Sequence, residues 1–558
     1  MYMGRMSTGS NPILRMDFPD PDIIFADGVY YMISTTMHFL PGGQILRSYD
    51  LLNWEHAAYV FDLLDSTPAQ CLQEDKYVYG KGMWAASLRY HKGTFYVAFV
   101  CNDTQKTYLY RAEKIEGPWR KSEISGFYHD CSLLFDDDDR VYVVYGNRQI
   151  YLTELDADLR GPKEGGLNRL LLQDSEKTPL GYEGSHLYKI NGRYYLFMIH
   201  SLEEKWRRVE ACFSSDSLEG DFTGGDVFND DMGFRNSGIA QGGIVCGADG
   251  VWNAVLFQDS GAIGRIPVVV PMTWEDDRPV FGIDGKAPSE LTLPVSDACL
   301  VAEEACDPLL HETCEDGYAP LAGSDDFKYG FTWEEGLRED FSPDFKRKFG
   351  CFGMRSFWQF NHEPDLRLVY RDEQSGKFWI TSDKLSLNIN HAKNTITQRM
   401  IYPSCAAEVT IDCAHLSEGD CAGLVALQGD YCWVGVERRD GKLFEVMYGH
   451  KSEEGPWDLS PVAGTKLEER EAQVLRVSGK DDEPVKVRME VLFENEKDEA
   501  VCLTDRDGSW QNIGKPHKLR FRLDHFTGAR FGLFMYSTKV TEGKAGFSDF
   551  RFFPGEKE

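Results

Sequence analysis

Five stretches in the first half of the chain share one alternation of apolar and polar positions. Each has a short apolar run, a turn carrying Gly or Asp, and a second, aromatic-rich alternating run. They read DPDIIFADGVYYMIS from Asp20, WAASLRYHKGTFYVAF from Trp84, DCSLLFDDDDRVYVVYG from Asp130, EGSHLYKINGRYYLFMI from Glu183 and QGGIVCGADGVWNAVLF from Gln241. Period-two alternation on both sides of a tight turn predicts a β-hairpin. The turn residues Gly28, Gly93, Asp139, Gly192 and Gly250 are 46 to 65 residues apart. Each unit therefore has room for four ordinary strands, the size of a propeller blade. A second recurrence, RSYDLLNWE from Arg47, YRAEKIEGPWRK from Tyr110 and CFSSDSLEGDF from Cys212, suits the outer hairpin of such a blade. Five units from about Asn11 to about Gly285 predict a five-bladed β-propeller. The alternative, a two-sheet sandwich of repeated hairpins, does not account for so regular a repeat.

From Asp284 to Asp326 the alternation lapses into an acidic, Pro-containing seam. It resumes in GKFWITSDKLSLNI, CAAEVTIDC, CAGLVALQG, YCWVGVERRDGKLFEVMYG, VKVRMEVLFEN and ARFGLFMYST. These runs, without a five-fold pattern, predict a β-sandwich. The expected division is a catalytic propeller over residues 1–324 and a sandwich over 325–558, an all-β chain throughout.

Composition narrows the functions. Sixty Lys and Arg face 90 Asp and Glu, a formal charge of −30, and a field of that sign repels a phosphate backbone. Nucleic acid is excluded as a partner. No apolar stretch approaches the ~20 residues of a membrane span, and the opening MYMGRMSTGSNPILRM lacks the apolar core of a secretory signal. Fourteen cysteines form no CxxC pair, so reduced thiols in a cytoplasmic protein are expected rather than a zinc ribbon. GxSxG, HExxH and P-loop motifs are absent.

The register of the repeat carries the chemistry. Eight or nine residues before each turn residue stand Asp20, Trp84, Asp130, Glu183 and Gln241. Equivalent positions on five blades form a ring, so three carboxyls and an indole should meet at one mouth of the channel. Buried acids are costly unless they are used. Their menu is a metal site or acid/base hydrolysis of a glycosidic bond. Trp84 would wall a sugar face, and His38 and Phe39 in the loop STTMHFLPGG are candidate further walls. The run Asp136–Asp139 sits at a hairpin tip and is assigned no function.

NPILRMDFPDPDIIFADGVYYMIST, HDCSLLFDDD and GYEGSHLYKINGRYYLF together resemble glycoside hydrolase family 43. WQFNHEPDLRL, TQRMIYPSCAAEVTID and FGLFMYSTK resemble the concanavalin A-like sandwich of its β-xylosidase branch. The resemblance implies an exo-acting, inverting enzyme that releases terminal β-D-xylose, α-L-arabinofuranose or both from an oligosaccharide. An endo-arabinanase and a non-catalytic carbohydrate-binding protein are the alternatives. It implies Asp20 as general base, Asp130 as the carboxylate that keeps Glu183 protonated, and Glu183 as general acid. It also implies Arg265 as a ligand of sugar hydroxyls and Phe526 as an aromatic laid over the mouth by the second domain. Where the family often carries a histidine near a bound metal, this chain has Gln241, an amide that could ligate calcium at the propeller axis. A homo-oligomer is compatible with all of this.

Overall fold

A computed structural model describes residues 5–174, 177–247, 249–299, 319–330, 347–451 and 483–555, with the backbone of 473–477. Five four-stranded antiparallel sheets follow one another, each in simple sequence order. The blades comprise Asp22–Ala26, Val29–Ser34, Gly42–Ser48 and Glu55–Phe61; Met83–His91, Thr94–Cys101, Lys106–Ala112 and Arg120–Ile124; Ser132–Phe135, Val141–Asn147, Gln149–Leu155 and Asn168–Gln173; Glu183–Ile190, Arg193–Leu202, Lys205–Ser215 and Thr223–Phe228; and Ile239–Cys246, Trp252–Asp259, Arg265–Glu275 and Arg278–Phe281. The five repeats in the sequence are the inner hairpins of the five blades. Asp27–Gly28 and Asn191–Gly192 each place two consecutive residues at positive φ. That is the turn whose twist matches two-residue hairpins, which is why Asp or Asn precedes Gly there.

The ends of the ring are tied by a two-stranded sheet, Met6–Ser10 against Glu290–Pro294. Glu290–Pro294 falls in the seam that the sequence left irregular: isolated, its alternation is too short to register, and its partner lies nearly 300 residues away. Residues 300–318 of that seam lie outside the described residues.

The second half forms two packed sheets of eight strands each. One edge of the first sheet is not its own. Phe39–Leu40, from a loop of the first blade, pairs antiparallel with Gln359–Asn361, so the propeller contributes a strand to the sandwich. GKFWITSDKLSLNI stays in the sheet only through Thr381 and then turns into a short 3-10 helix at Ile389–His391.

Buried polar groups hold the seam. The Asp17 carboxylate accepts Arg265 N and, from the sandwich, Gly528 N, both at 2.8 Å. Arg399 Nε donates to the Asp17 carbonyl at 2.6 Å and Nη1 to Gln44 Oε1 at 2.6 Å, with its guanidinium over Phe18 at 4.1 Å. Both amides that Asp17 satisfies belong to strands or loops that carry site residues. Asp17→Ala leaves two buried donors without acceptors, at about 1–3 kcal/mol each. Calorimetry should show one transition for both domains, lowered by several degrees. Asp17→Asn, which keeps an acceptor, should lose roughly half as much.

Candidate active site

The residues that the repeat aligned do meet at one mouth of the ring, and the backbone there is unusual. Asp20, Asp130 and Gln241 have φ of 51°, 47° and 59°, and in the fourth blade Gly184, one past Glu183, has 62°. Non-glycine residues enter this left-handed region at a cost that marks functional positions. Inner strands shift register at the same level, between Met83 and Ala86, Glu183 and His186, and Ala240 and Gly242. Such bulges re-aim side chains, and here they swing the ring residues towards the axis.

Asp20 is 7% exposed. Its Oδ2 accepts Thr35 Oγ1 at 2.7 Å and its Oδ1 accepts Arg265 Nη1 at 2.9 Å. Asp130 is 6% exposed and accepts Gly184 N at 3.2 Å. Glu183 is more open and accepts a hydrogen bond from Asn147 Nδ2. Between the last two carboxyls lies His129, whose Nε2 is 3.8 Å from Asp130 Oδ1 and 3.7 Å from Glu183 Oε2. The Asp130 charge lifts the imidazole to about 9, against the opposing effect of burial and with help from Glu183. Burial, with the charges of Glu183 and Asp20, pushes Asp130 up to about 6, against the pull of His129.

Aromatic rings and one arginine complete the walls. Trp84 packs at 5.6 Å from the His129 ring and 5.5 Å from Phe526. Phe526, itself at φ 57°, comes from the sandwich and lies 4.4 Å from the Arg265 guanidinium. Arg265 is 3% exposed, and its Nε and Nη2 are buried donors without acceptors among the described residues, as is Trp84 Nε1. Buried donors left open are unusual unless a ligand uses them.

His38 and Phe39 lie where the propeller loop meets the sandwich. The His38 ring is enclosed by Phe39, Tyr79, His362 and His525, all within 5.3 Å. Phe39 is 1% exposed, pairs with Asn361 and lies beneath Arg530 at 4.0 Å. Their loop is drawn into the domain seam, where it supplies the sandwich with an edge strand.

Gln241 does not fit a calcium site. Its side chain packs on Gly184, and its backbone N–H donates at 2.7 Å to buried Glu210, whose carboxyl burial pushes well above the usual range. Calcium takes six to eight oxygens, and the carboxylate on the axis, Asp22, is already engaged. It accepts Arg89 Nη1 at 2.6 Å, Leu88 N at 2.7 Å and Ile23 N at 3.1 Å, with His186 Nδ1 at 3.2 Å. The axial cation is a guanidinium. Among the described residues one group of three metal-ligating side chains has its ligand atoms within 4.8 Å of one another, namely His129, Asp130 and Glu183.

Two site residues escaped the sequence reading. His129 stands directly before Asp130 in HDCSLLF, so adjacency was a usable signal. Asn147 ends a different strand of its blade and reaches Glu183 only through the fold.

Comparison with known proteins agrees with this geometry. Residues 9–279 match the profile of glycosyl hydrolases family 43, and residues 352–553 match that of the β-xylosidase C-terminal concanavalin A-like domain. A β-xylosidase of Formosa agariphila is 26% identical over 475 residues, 76% of this chain and 74% of its own. A non-reducing-end α-L-arabinofuranosidase of Bacteroides ovatus is 26% identical over 295 residues, 50% of this chain and 54% of its own. A solved structure, a bifunctional GH43-CE protein of Bacteroides eggerthii, superposes with a TM-score of 0.82 at 34% identity over 99% of this chain, which spans only 64% of that one. With both profiles matched in order, and three carboxyls gathered at the mouth of a five-bladed ring, the chain belongs to glycosyl hydrolase family 43 and carries the C-terminal domain of its β-xylosidases.

Proposed function

We propose that the protein is an exo-acting, inverting pentosidase that removes terminal β-D-xylose and α-L-arabinofuranose from oligosaccharides. The observation that carries this reading is the convergence of Asp20, Asp130 and Glu183 with Phe526, a residue of the second domain, around one pocket. Inversion needs a base and an acid on opposite faces of one sugar, ~6.5–9.5 Å apart, with room for a water. Asp20 is the base: its oxygens are oriented by Arg265 and Thr35 and keep lone pairs for the proton of an attacking water. Glu183, the more accessible carboxyl, is the acid that protonates the departing oxygen.

Asp130 and His129 set the charge around that acid. Asp130 also accepts Gly184 N, which fixes the backbone beside Glu183. The sugar lies against Trp84 and Phe526, and the open donors of Arg265 take its hydroxyls. An endo-acting enzyme needs a through-cleft, whereas Phe526 covers the mouth from the sandwich side. This favours counting from a chain end. Free cysteines such as buried Cys432 and Cys502 support a reducing, cytoplasmic setting.

Three outcomes test the proposal. Glu183→Gln should lower the rate on xylobiose by about 10²–10⁴-fold and far less on aryl pentosides whose leaving groups need no proton; equal losses on both would remove Glu183 from the acid role. NMR of the sugar first released should show the inverted anomer, and a retained one would overturn the mechanism. Asp130→Asn removes the charge chiefly responsible for holding the His129 proton. The His129 titration, followed by imidazole NMR, should then fall from about 9 towards its ordinary value, because the imidazolium loses its nearest anion. An unmoved titration would separate His129 from Asp130.

A further inference from the structure

Where the propeller meets the sandwich, three histidines are buried together. His38 comes from the loop that supplies the shared edge strand, His362 follows the strand Gln359–Asn361, and His525 directly precedes Phe526. The His38 ring lies 4.8 Å from His362 and 5.3 Å from His525. Tyr79, from the loop joining the first two blades, packs against both sandwich rings at 4.6 Å and is stacked on His525. Its hydroxyl donates to the Asn390 carbonyl at 3.0 Å and accepts Asn361 Nδ2 at 2.7 Å. Gly80, at φ 65°, lets the same loop pass close against the Asp524 carbonyl, which a Cβ would meet at 2.6 Å. The turn that carries Phe526 is therefore seated on residues 78–80 of the propeller.

Geometry ties this seat to the neutral imidazole. His362 Nε2 accepts the Val78 backbone N–H at 3.0 Å, so that nitrogen carries no proton, and adding one would set donor against donor. His38 Nδ1, His38 Nε2 and His525 Nε2 are buried with no hydrogen-bond partner among the described residues. The charges around the cluster also oppose protonation. Arg530 faces His38, and Lys384 faces His362 and His391. Asp524 is taken by Arg522 at 2.8 Å, and Asp75 faces His391. Burial first, then one another and these cations, holds His38 and His362 well below the ordinary range, against a weaker pull of Asn361 on His38. Burial lowers His525 to about 3. Such imidazoles leave the closed arrangement unpenalised above their ordinary value of ~6.5 and penalise it progressively as the pH falls from there. Each proton that only the released turn can bind shifts the balance about tenfold per pH unit.

We propose that His38, His362 and His525 form a pH-sensitive latch that positions Phe526, closed while the imidazoles are neutral and released by mild acid. Release breaks the Val78–His362 bond and frees Tyr79, and with it the His525 anchor, so that the Phe526 ring leaves the mouth. The bonds of Asp17 to Arg265 and Gly528, which involve no histidine, keep the domains together meanwhile. What the ring covers rests on the pentosidase reading; the latch does not, because its state is read without substrate.

The test places 4-fluorophenylalanine at position 526 of the full-length protein and follows its fluorine NMR signal from about pH 8 to about pH 4. The signal should move reversibly to a second position with its midpoint below ~6.5, while far-UV circular dichroism stays constant. His362→Gln, whose amide oxygen accepts Val78 N but does not titrate, should lower that midpoint by roughly half a pH unit or more. His38→Gln should lower it too, and covers the case in which the first variant does not fold. A signal unchanged across the range would overturn the proposal. So would a change that coincides with loss of the circular dichroism, or a midpoint that stays put in the folded variants.

Discussion

Everything at the mouth of the ring depends on an ion pair buried at its axis. Asp22, fully buried on the first blade, binds Arg89 of the second. Arg89 in turn donates from Nε to the Leu133 carbonyl at 2.8 Å and from Nη2 to Ser132 Oγ at 2.7 Å, both on the third blade. Its guanidinium lies 5.2 Å from the ring of Tyr188 on the fourth, whose hydroxyl accepts Ile244 N of the fifth at 3.1 Å. One connected network therefore touches all five blades. A buried pair is a stability risk unless its lone pairs and protons are satisfied, and here two backbone amides and His186 complete Asp22. Burial pushes the Asp22 carboxyl up, but Arg89 and His186 outweigh it and the net direction is down. The carboxylate stays charged because the cation that holds it is part of the chain.

That closure is what permits strain one layer above. Asp20 is two residues before Asp22, and Asp130 is two before Ser132. Both adopt left-handed backbone next to a residue fixed by the axial network. Strained dihedrals persist only where the surroundings over-determine them, and the axis does so from below. From above, Asp17 couples the Arg265 strand to Gly528, so the loop bearing Phe526 is set by the same few hydrogen bonds that align the propeller with the sandwich. Asp20, Arg265 and Phe526 are thus positioned by one polar skeleton, not by three independent supports.

This arrangement explains which features were legible in the sequence. Hairpin turns and period-two alternation are local, so the blades, their number and the ring positions of Asp20, Asp130 and Glu183 could be read from short windows. The strand Phe39–Leu40 could not, because its partner Asn361 is more than 300 residues away and belongs to the other domain. His38 and Phe39 sit close in sequence to site residues, and the sandwich pairs with their loop. His129 was readable in principle and Asn147 was not, since one adjoins Asp130 in the chain and the other adjoins Glu183 only in space. The packing of Gln241 on Gly184 of the fourth blade was likewise not legible, since the two residues meet only in the fold.

The distribution of cations carries the argument one step further. In a chain with a formal charge of −30, arginines at the surface would offset the acidic field. Several are instead buried at junctions: Arg265 beside Asp20, Arg399 between Asp17 and Gln44, and Arg530 over Phe39 and bonded to Gln359 Oε1 at 2.6 Å. Desolvation lowers Arg399 and drives Arg530 well below its usual range, so burying them costs stability that packing alone would not repay. What they provide is direction. A guanidinium has five donors in a rigid plane, enough to fix carbonyls and side chains from two domains at once. A pocket bordered by residues of two domains works only if the domains are held in fixed register. Rigid, multidentate cations at the seam meet that need.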